Sequence, residues 1–575
     1  MIDILQINPG LWVILAGIIC AFLPVGQMRK ALVLLAPIFA GMMIFQIYGA
    51  QEVIGGVITF AGMDYTTLRI DRLSMIWGYL FCLAGVLNAI YGLHEKCRIT
   101  DSSALIYMGA ALAGVFAGDL LTLFIFWELA AISSVFLVWK GGERSYASGI
   151  RYLAIHVLSG VLLLAGAIVY GRANGGDFTF GAIGLGAPGG WLLLLAMGIK
   201  CGFPFLHNWI QDAYPKASIT GTVILSAFTT KLALYALARG FAGEDILIYI
   251  GAVMTCFPVF FAVIENDLRR VLSYSLNNQL GFMVCGIGIG TPLAMNGVAA
   301  HVVADVIFKG LLFMSMGAVM LRTGTAKASE LGGLFRSMPF TTVFCLIGAG
   351  SIAAFPLLSA FVTKSMILTA ALEEHLWVPL AMLLFASAGV MEHSGIKVPY
   401  FTFFSHDSGR RVKEAPWNML TAMGLASLLC VVFAFPFGGY QFLYSLLPYE
   451  VDYHPYTPDH VIFQLQLLFA AITAFCVLKK YGLYPDERRA EIIDFDWTYR
   501  KLGLGIAKWI GAMWTRLGLN ITALRKRFID NAGKRLYQIF SPAGAMSAAA
   551  PSGLAAVLTA GMLVIALLIM FITSI

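Results

Sequence analysis

Ionisable side chains lie in the middle of long apolar stretches in the first half of this sequence. Glu128 lies in LLTLFIFWELAAISSVFLVW, Lys200 in LLLLAMGIKCGFPFLHNW and Lys231 in GTVILSAFTTKLALYALARGF. A charge inside a lipid bilayer costs several kcal/mol, so such residues are kept mainly where they have a function. A lysine beside a carboxylate stays charged, whereas a desolvated lysine without one releases its proton readily. These residue types predict a switchable proton site, although a static buried ion pair that fixes helix packing would need the same residues.

A second set of titratable residues follows in NGVAAHVVADVIFKGLLF. His301, Asp305 and Lys309 follow one another at intervals of four residues, which places all three on one face of a helix. Three titratable groups of different types along one face predict a proton relay. A metal site is a weaker interpretation, because lysine is not a ligand and the set contains a single histidine.

Two prolines interrupt apolar stretches close to lysines. Pro204 follows Lys200, and Pro356 precedes Lys364. Since proline removes a backbone hydrogen-bond donor and clashes with the preceding turn, we predict a broken helix at each position. Broken helices at mid-membrane depth are typical of transporter binding sites. Lys364 therefore joins the candidate proton path.

Histidines and a further lysine extend this path. His393 and Lys397 share one face near the end of a span, although Lys397 could instead snorkel to the membrane surface. His207 follows the first break, and His156 lies one span earlier. Each of these two histidines would either carry protons between the two clusters or belong to the apolar core.

The composition excludes a soluble enzyme. The chain has 575 residues, of which 59% are hydrophobic and 12% are charged, whereas soluble domains carry about 25% charged residues. The nine cysteines are scattered without CxxC spacing, which argues against iron–sulfur, zinc and disulfide frameworks. The sequence therefore predicts an all-α polytopic membrane protein, and we expect no cofactor and no metal in this chain.

Continuous apolar runs recur along the whole chain and predict about 14 to 16 transmembrane helices. The predicted spans lie near residues 10–25, 30–49, 73–93, 103–118, 120–139, 149–170, 189–208, 220–241, 245–264, 271–290, 294–321, 339–372 with an interruption, 376–400, 417–437, 461–480 and 552–574. Lysine and arginine concentrate in the loops after odd-numbered spans, for example at Arg29, Arg269 and Arg410. The positive-inside rule places these loops in the cytoplasm and both termini outside. The net charge of +7 belongs to this topology, so we expect no nucleic-acid partner.

Two segments differ from the apolar spans. Residues 51–70 are rich in β-branched side chains around Gly62 and predict a short external hairpin. Residues 497–540 combine basic and aromatic side chains, which is typical of a segment that lies in the membrane surface. On the cytoplasmic side it would meet anionic lipid, acting either as an interfacial anchor or as a brace along neighbouring partner proteins.

The order of these elements predicts an internal repeat. Spans 4–8 and 9–13 form two five-helix units, each with a broken span near a lysine, and an odd number of spans inverts the second unit. The predicted divisions are N-terminal helices with the hairpin at 1–102, the first repeat at 103–243, the inverted repeat at 244–400, C-terminal helices at 401–490, the amphipathic segment at 491–551 and a final transmembrane helix at 552–575.

Motifs between residues 70 and 480 carry a resemblance to a known family. They are IDRLS (70–74), FWEL (126–129), IKCGFPFLHNWIQDAYPKAS (199–218), ENDLRRVLSYS (265–275), HVVADVIFKGLLF (301–313), GGLFRSMPFT (332–341) and FPLLSAFVTK (355–364). The sequence resembles the antiporter-like family shared by proton-pumping subunits of respiratory complex I, membrane-bound hydrogenases and multisubunit cation/proton antiporters. Within that family, MEHSGIKVPYFTFF (391–404) and LPYEVDYHPYTPDHVIFQLQLL (447–468) are most similar to the D component of the multisubunit sodium/proton antiporters.

The resemblance implies a hydrated proton path through the matching charged residues, here Glu128, Lys200, Lys231 and Lys309, with Lys364 at the second broken helix. Asp305 stands where many relatives carry histidine or asparagine, and the tail after residue 490 exceeds the usual D component. The resemblance further implies a bacterial inner-membrane protein that works with other membrane subunits and exchanges protons for sodium. The alternative is a redox-driven proton-pumping subunit of an NADH–quinone oxidoreductase or hydrogenase, whose electron chemistry would belong to its partners. A third interpretation is a structural subunit whose charges only hold helices together.

Overall fold

The chain folds as a series of apolar helices with one small β-hairpin near the N-terminus. The structure is a computed structural model that describes residues 7–47, 52–60, 62–485, 487, 492, 494–541, 543–544 and 552–573. Its elements are α1 (Pro9–Phe22), α2 (Gln27–Gln46), β1 (Glu52–Phe60), β2 (Met63–Asp71), α3 (Arg72–Tyr91), α4 (Arg98–Val115), α5 (Leu120–Trp139), α6 (Glu143–Ala173), α7 (Gly190–Cys201), α8 (Asn208–Ala213), α9 (Ile219–Ala227), α10 (Thr229–Gly240), α11 (Asp245–Ile264), α12 (Leu268–Ile289), α13 (Pro292–Thr323), α14 (Pro339–Ile352), α15 (Ser359–Glu373), α16 (Trp377–Val390), α17 (Trp417–Val432), α18 (Gly439–Ser445), α19 (Pro458–Lys480), α20 (Leu504–Phe540) and α21 (Ser552–Thr573).

The polytopic membrane architecture is confirmed. Within the described residues, nine helices are long and apolar enough to cross a membrane, and shorter apolar helices such as α1, α7, α14 and α17 accompany them. The predicted hairpin is present: β1 and β2 pair antiparallel from Glu52 with Asp71 to Phe60 with Met63. Asp71 also caps α3 by accepting a hydrogen bond from the Ser74 amide, so the last residue of β2 is also the N-cap of α3.

Contacts divide the chain into two compact units, the first ending at Asp494 and the second beginning at Phe495. In the second unit α20 has 37 residues. At about 100° per residue, its basic residues Lys508, Arg516, Lys526 and Lys534 fall on one side of the helix and the apolar residues Ile510, Leu517 and Phe528 on the other. The amphipathic helix is thus present where the sequence predicts it. Its placement on the membrane surface and the division into inverted repeats stay predictions.

The central helices of the first unit are enclosed by protein. Every residue in the apolar windows of α13 and of the Ile219–Gly240 span is buried. Helix α13 packs against α9, α12, α14, α15 and α17. Charged residues on these two spans therefore face other helices instead of lipid, which is where buried polar groups can find partners.

Both predicted breaks are confirmed, and they have the same local shape. Helix α7 ends at Cys201 and helix resumes at Asn208, while α14 ends at Ile352 and α15 begins at Ser359. In the first break Gly202 and Phe205 have φ of 78° and 70°. In the second break Ala354 and Leu357 have φ of 59° and 73°. Each proline thus lies between two left-handed residues, a conformation that non-glycine residues adopt only at a cost.

A third helix is interrupted without a proline, between α9 and α10. The sequence predicts one helix over 220–241, but α9 ends at Ala227 and α10 starts at Thr229. The Thr229 amide donates to the Tyr107 hydroxyl at 2.9 Å, and the Ser226 carbonyl accepts from Lys231 Nζ at 3.0 Å. Side chains therefore replace the lost backbone hydrogen bonds at this position, because buried backbone N–H and C=O groups need partners.

The helix that follows α16 is wound more widely than the sequence predicts. Residues Met391–Lys397 and Tyr400–Phe404 form π-helical turns in place of the expected regular helix. Single π-helical turns within α-helices are frequent at functional sites, and this one carries His393 and Lys397.

The first break gives a test of the fold. A side chain at Gly202 would place Cβ 2.6 Å from Asn277 Oδ1 on a residue with positive φ, so Gly202→Ala should lower the free energy of unfolding by about 1–2 kcal/mol. Gly511→Ala is the control, because α20 leaves open space there and alanine favours helix. Thermal melting of the detergent-solubilised protein measures both. Equal melting temperatures for Gly202→Ala and wild type would contradict the geometry of the break.

Candidate proton path

The centre of the candidate site is an ion pair between the two spans that are wholly enclosed. Lys231 Nζ lies 2.9 Å from Asp305 Oδ2, and both side chains are 0% exposed. The interruption at Phe228 places Lys231 in the first turn of α10, and Asp305 lies midway along α13. The sequence assigns these residues to two separate sets, whereas the structure joins them. The pair therefore links the two predicted repeats.

Lys200 lies against the helix that carries Glu128. Its Nζ donates to the Trp127 carbonyl at 2.6 Å and lies 4.4 Å from the centroid of the Trp127 ring. The Glu128 carboxylate contacts Gly160 on α6, where a Cβ would fall 1.7 Å from Oε1. The lysine thus bonds to the peptide group that precedes Glu128 and not to its carboxylate. Of the three residues in the first predicted set, Glu128 and Lys200 are brought together through α5.

A chain of hydroxyl groups leads from Lys309 towards the π-helical turn. Lys309 Nζ donates to Ser275 Oγ at 2.7 Å, Ser394 Oγ donates to Ser275 Oγ at 2.7 Å, and Ser394 Oγ lies 2.9 Å from His393 Nδ1. All four residues are buried. Hydroxyl groups both donate and accept hydrogen bonds, so this arrangement joins two predicted path residues. The sequence predicts neither serine as a path residue, because serine is common in helices.

His301 bonds with both ring nitrogens to neutral side chains. Its Nδ1 lies 2.9 Å from Thr363 Oγ1 and its Nε2 lies 3.1 Å from Gln279 Oε1. Lys364, the residue after Thr363, donates to the Ile352 carbonyl at 3.1 Å. That carbonyl is at the C-terminus of α14, where the helix dipole favours a cation. The sequence predicts a lysine beside the second break, and the structure places the Lys364 ammonium there.

Two predicted path residues meet carboxylates that the sequence does not predict. His207 Nε2 lies 3.1 Å from Asp494 Oδ2, which also accepts from the Tyr274 hydroxyl at 3.0 Å. Lys397 Nζ lies 3.1 Å from Glu487 Oε1. Lys397 is fully buried, so the snorkelling alternative does not describe it. Both acids follow α19 in a polar part of the chain, where the sequence gives no sign that they are buried.

His156 has no role in these contacts. Its ring centroid lies 4.1 Å from that of Tyr152 and 4.5 Å from that of Trp209. Neither ring nitrogen has a hydrogen-bond partner among the described residues. The structure therefore places this histidine in an aromatic core. Within the described part of the chain, no group of three or more His, Cys, Asp or Glu side chains could hold a metal ion.

Similarity to known proteins identifies the family of this chain. Residues 117–390 match the family described as NADH:quinone oxidoreductase/Mrp antiporter, TM. The chain is 30% identical over 372 residues to the D component of the Na(+)/H(+) antiporter of Alkalihalophilus pseudofirmus, covering 61% of this chain and 69% of that protein. The chain belongs to this family of membrane proteins. It is also 29% identical over 343 residues to the A/B component of a probable K(+)/H(+) antiporter of Rhizobium meliloti, covering 56% of this chain but only 34% of that longer protein.

A solved structure has the same fold. A chain from the membrane-bound sulfane sulfur reductase, an archaeal respiratory membrane complex, superposes with a TM-score of 0.70 and 20% sequence identity. The match covers 98% of this chain and 99% of that chain. The fold of this chain therefore also occurs in a respiratory assembly.

The central ion pair gives a stability test. Asp305→Asn leaves the buried Lys231 ammonium without its counter-charge, which should lower the free energy of unfolding by about 3–5 kcal/mol. The double variant Lys231→Met, Asp305→Leu removes both charges and should recover most of that stability. Thermal melting in detergent compares the three proteins. An Asp305→Asn variant that melts like wild type would show that the pair does not hold α10 against α13.

Proposed function

We propose that this chain is the proton-translocating subunit of a multisubunit cation/proton antiporter, with sodium as the exchanged cation. The observation that carries the proposal is the set of enclosed titratable groups on α13 and beside the interrupted helices, with the Lys231–Asp305 pair at its centre. The family relationship supports it, because the related proteins include components of Na(+)/H(+) antiporters. Other membrane subunits would be its partners, in the inner membrane of a bacterium with both termini outside.

The contacts support proton movement along this set of groups. A proton that reaches Glu128 weakens the negative charge beside Lys200, and a lysine that loses a nearby negative charge gives up its proton more easily. Each transfer changes the charge that the next group experiences, so the Lys231–Asp305 pair responds to events on either side of it. The hydroxyl chain from Lys309 to His393 supplies hydrogen-bonded steps toward the end of the span.

The two matching breaks support the inverted repeat. The sequences GFPFL (202–206) and AFPLL (354–358) have positive φ at their first and fourth positions. Each break lies beside a lysine whose ammonium donates to a backbone carbonyl, from Trp127 for Lys200 and from Ile352 for Lys364. We infer that 103–243 and 244–400 are related units, each with one half of the path.

A redox-driven pump subunit is the second candidate. The matched family includes NADH:quinone oxidoreductases, and the sequence carries no motif for a nucleotide, flavin, haem or iron–sulfur cluster. Partner subunits would then supply the electrons, and the same set of groups would carry the protons. The two candidates differ in what drives the protons, and a single preparation can distinguish them.

Glu128→Gln tests the proposal in vesicles that contain the complete complex. A pH-sensitive dye should report proton movement on addition of sodium in wild type, and the rate should fall by roughly 100-fold in the variant, as when a positioned proton carrier is lost. Glu143→Gln, on an exposed residue at the start of α6, should behave as wild type. Assembly is checked on native gels.

The outcomes separate the candidates. Cations that move no protons, together with an electron donor that acidifies the vesicles, would make the chain a redox pump subunit. Normal transport by an assembled Glu128→Gln complex would remove Glu128 from the path. Loss of assembly in Glu128→Gln, with normal transport by whatever complex remains, would favour the structural interpretation.

The hydroxyl chain is tested by removing both serines. Ser275→Ala with Ser394→Ala takes away the groups that join Lys309 to His393, so cation-driven proton flux should fall by about tenfold, the equivalent of one hydrogen bond in the transfer step. Ser315→Ala is the control, because that hydroxyl donates to the Leu311 carbonyl of its own helix. Unchanged flux in the double variant would show that protons do not use the serines.

A further inference from the structure

Two carboxylates beyond the last helix of the first unit reach the buried path. Glu487 and Asp494 follow α19, which ends at Lys480. Their side chains are only 8% and 4% exposed. Residues in so polar a part of the chain would ordinarily lie in water, because burying a carboxylate without a partner is costly. Their partners, Lys397 in the π-helical turn and His207 just before α8, therefore explain their positions.

Backbone carbonyls and a carboxylate surround the Lys397 ammonium. Its Nζ donates to the Val263 and Glu265 carbonyls at 2.6 and 2.7 Å, which lie at the C-terminal end of α11. Glu265 itself faces Arg270 at 3.4 Å, and Glu392 accepts from the Tyr484 hydroxyl at 2.5 Å. Glu487 is the acid whose carboxylate contacts the ammonium directly.

Glu487 lies nearer to solvent than Lys397 does. The lysine side chain is 0% exposed and that of Glu487 is 8% exposed, while both carboxylate oxygens of Glu487 are buried. The acid is therefore the member of the pair that lies next to solvent. Burial raises the pKa of the Glu487 carboxyl, although the Lys397 ammonium opposes this. An acid whose pKa is raised takes up a proton closer to neutral pH than an exposed glutamate does.

Asp494 contacts a predicted path residue in the same way, here His207 beside the first break. Its Oδ2 lies 3.1 Å from His207 Nε2 and 3.0 Å from the Tyr274 hydroxyl. His207 immediately precedes α8, and Tyr274 lies on α12, the helix that also carries Ser275. The two acids thus meet one path residue in each predicted repeat.

We propose that Glu487 and Asp494 are the groups through which the buried path exchanges protons with water at one membrane surface. This proposal rests on the proton-translocating function proposed above. The protonated Glu487 carboxyl gives its proton to the neutral Lys397 amine, which breaks one O–H bond, forms one N–H bond and leaves the ion pair seen in the structure. Once the lysine has passed its proton inward, a hydronium ion at the surface gives a proton to the carboxylate and leaves as water. Asp494 exchanges a proton with the His207 imidazole in the same way.

Amide substitutions test the titration of both acids. Glu487→Gln keeps an oxygen that accepts a hydrogen bond from Lys397, but it cannot carry a proton, so flux in the same vesicles should fall by roughly 100-fold. Asp494→Asn should lower flux in the same direction. Glu487→Asp restores the carboxylate and should recover a large part of the rate, which a purely structural contact would not require. Asp407→Asn is the control, because Asp407 is an exposed loop residue that pairs with Arg411 at 2.6 Å.

A chemical rescue keeps the test decisive if the amide variant assembles poorly. Glu487→Cys is treated after assembly with iodoacetate, which adds a carboxylate, or with iodoacetamide, which adds an amide of nearly the same size. Flux should return with the first reagent only, and wild type treated with each reagent corrects for its own cysteines. Return of flux with both reagents would overturn the proposal.

The result for wild type separates this inference from the proposed function. If the wild-type complex moves no protons in response to cations or electron donors, the proposed function itself fails. If wild type moves protons, Glu128→Gln does not, and assembled Glu487→Gln and Asp494→Asn complexes run at the full rate, only the role of the two acids is wrong.

Discussion

The buried ion pair between Lys231 and Asp305 is the interaction on which the rest of the structure depends. Two opposite charges that are 0% exposed are tolerated only when each satisfies the other, since a single buried charge costs several kcal/mol. The pair joins α10 to α13, the helix around which α9, α12, α14, α15 and α17 pack. His301 and Lys309 lie on α13 about one turn to either side of Asp305.

The interruptions of the helices allow lysines to lie at this depth. The last carbonyl groups of a helix have no partner within it, so they are ready acceptors for an ammonium. Lys200 is the exception, because its acceptor, the Trp127 carbonyl, lies inside the continuous helix α5. At the Phe228 interruption and at the end of α14, free carbonyls accept from Lys231 and Lys364. At the end of α11, the carbonyls of Val263 and Glu265 accept from Lys397 in the same way. At these three positions the carbonyl groups that irregular backbone leaves without a helical partner accept hydrogen bonds from lysines.

Sequence reasoning predicted the parts that depend on local chemistry. Pro204 and Pro356 predicted both breaks, because proline has no backbone N–H group in any context. The four-residue spacing of His301, Asp305 and Lys309 gave their common helix. The partners of these residues could not be predicted, because spacing gives a face of a helix but not the helix that lies opposite. The interruption at Phe228 gave no signal either, since it depends on the Tyr107 hydroxyl, which lies far away in the sequence.

The enclosed position of α13 has a consequence for how the protein is made. Synthesis runs from the N-terminus, so α10 enters the membrane with Lys231 before Asp305 has been translated. Insertion of a lone lysine at the centre of a helix costs about 2.5–3.5 kcal/mol, and that cost persists until α13 arrives. Helix α13 in turn brings its own histidine, aspartate and lysine, which need α10 and α12 already in place. Stable insertion of α10, in the first half of the chain, is therefore complete only when α13, in the second half, has been inserted.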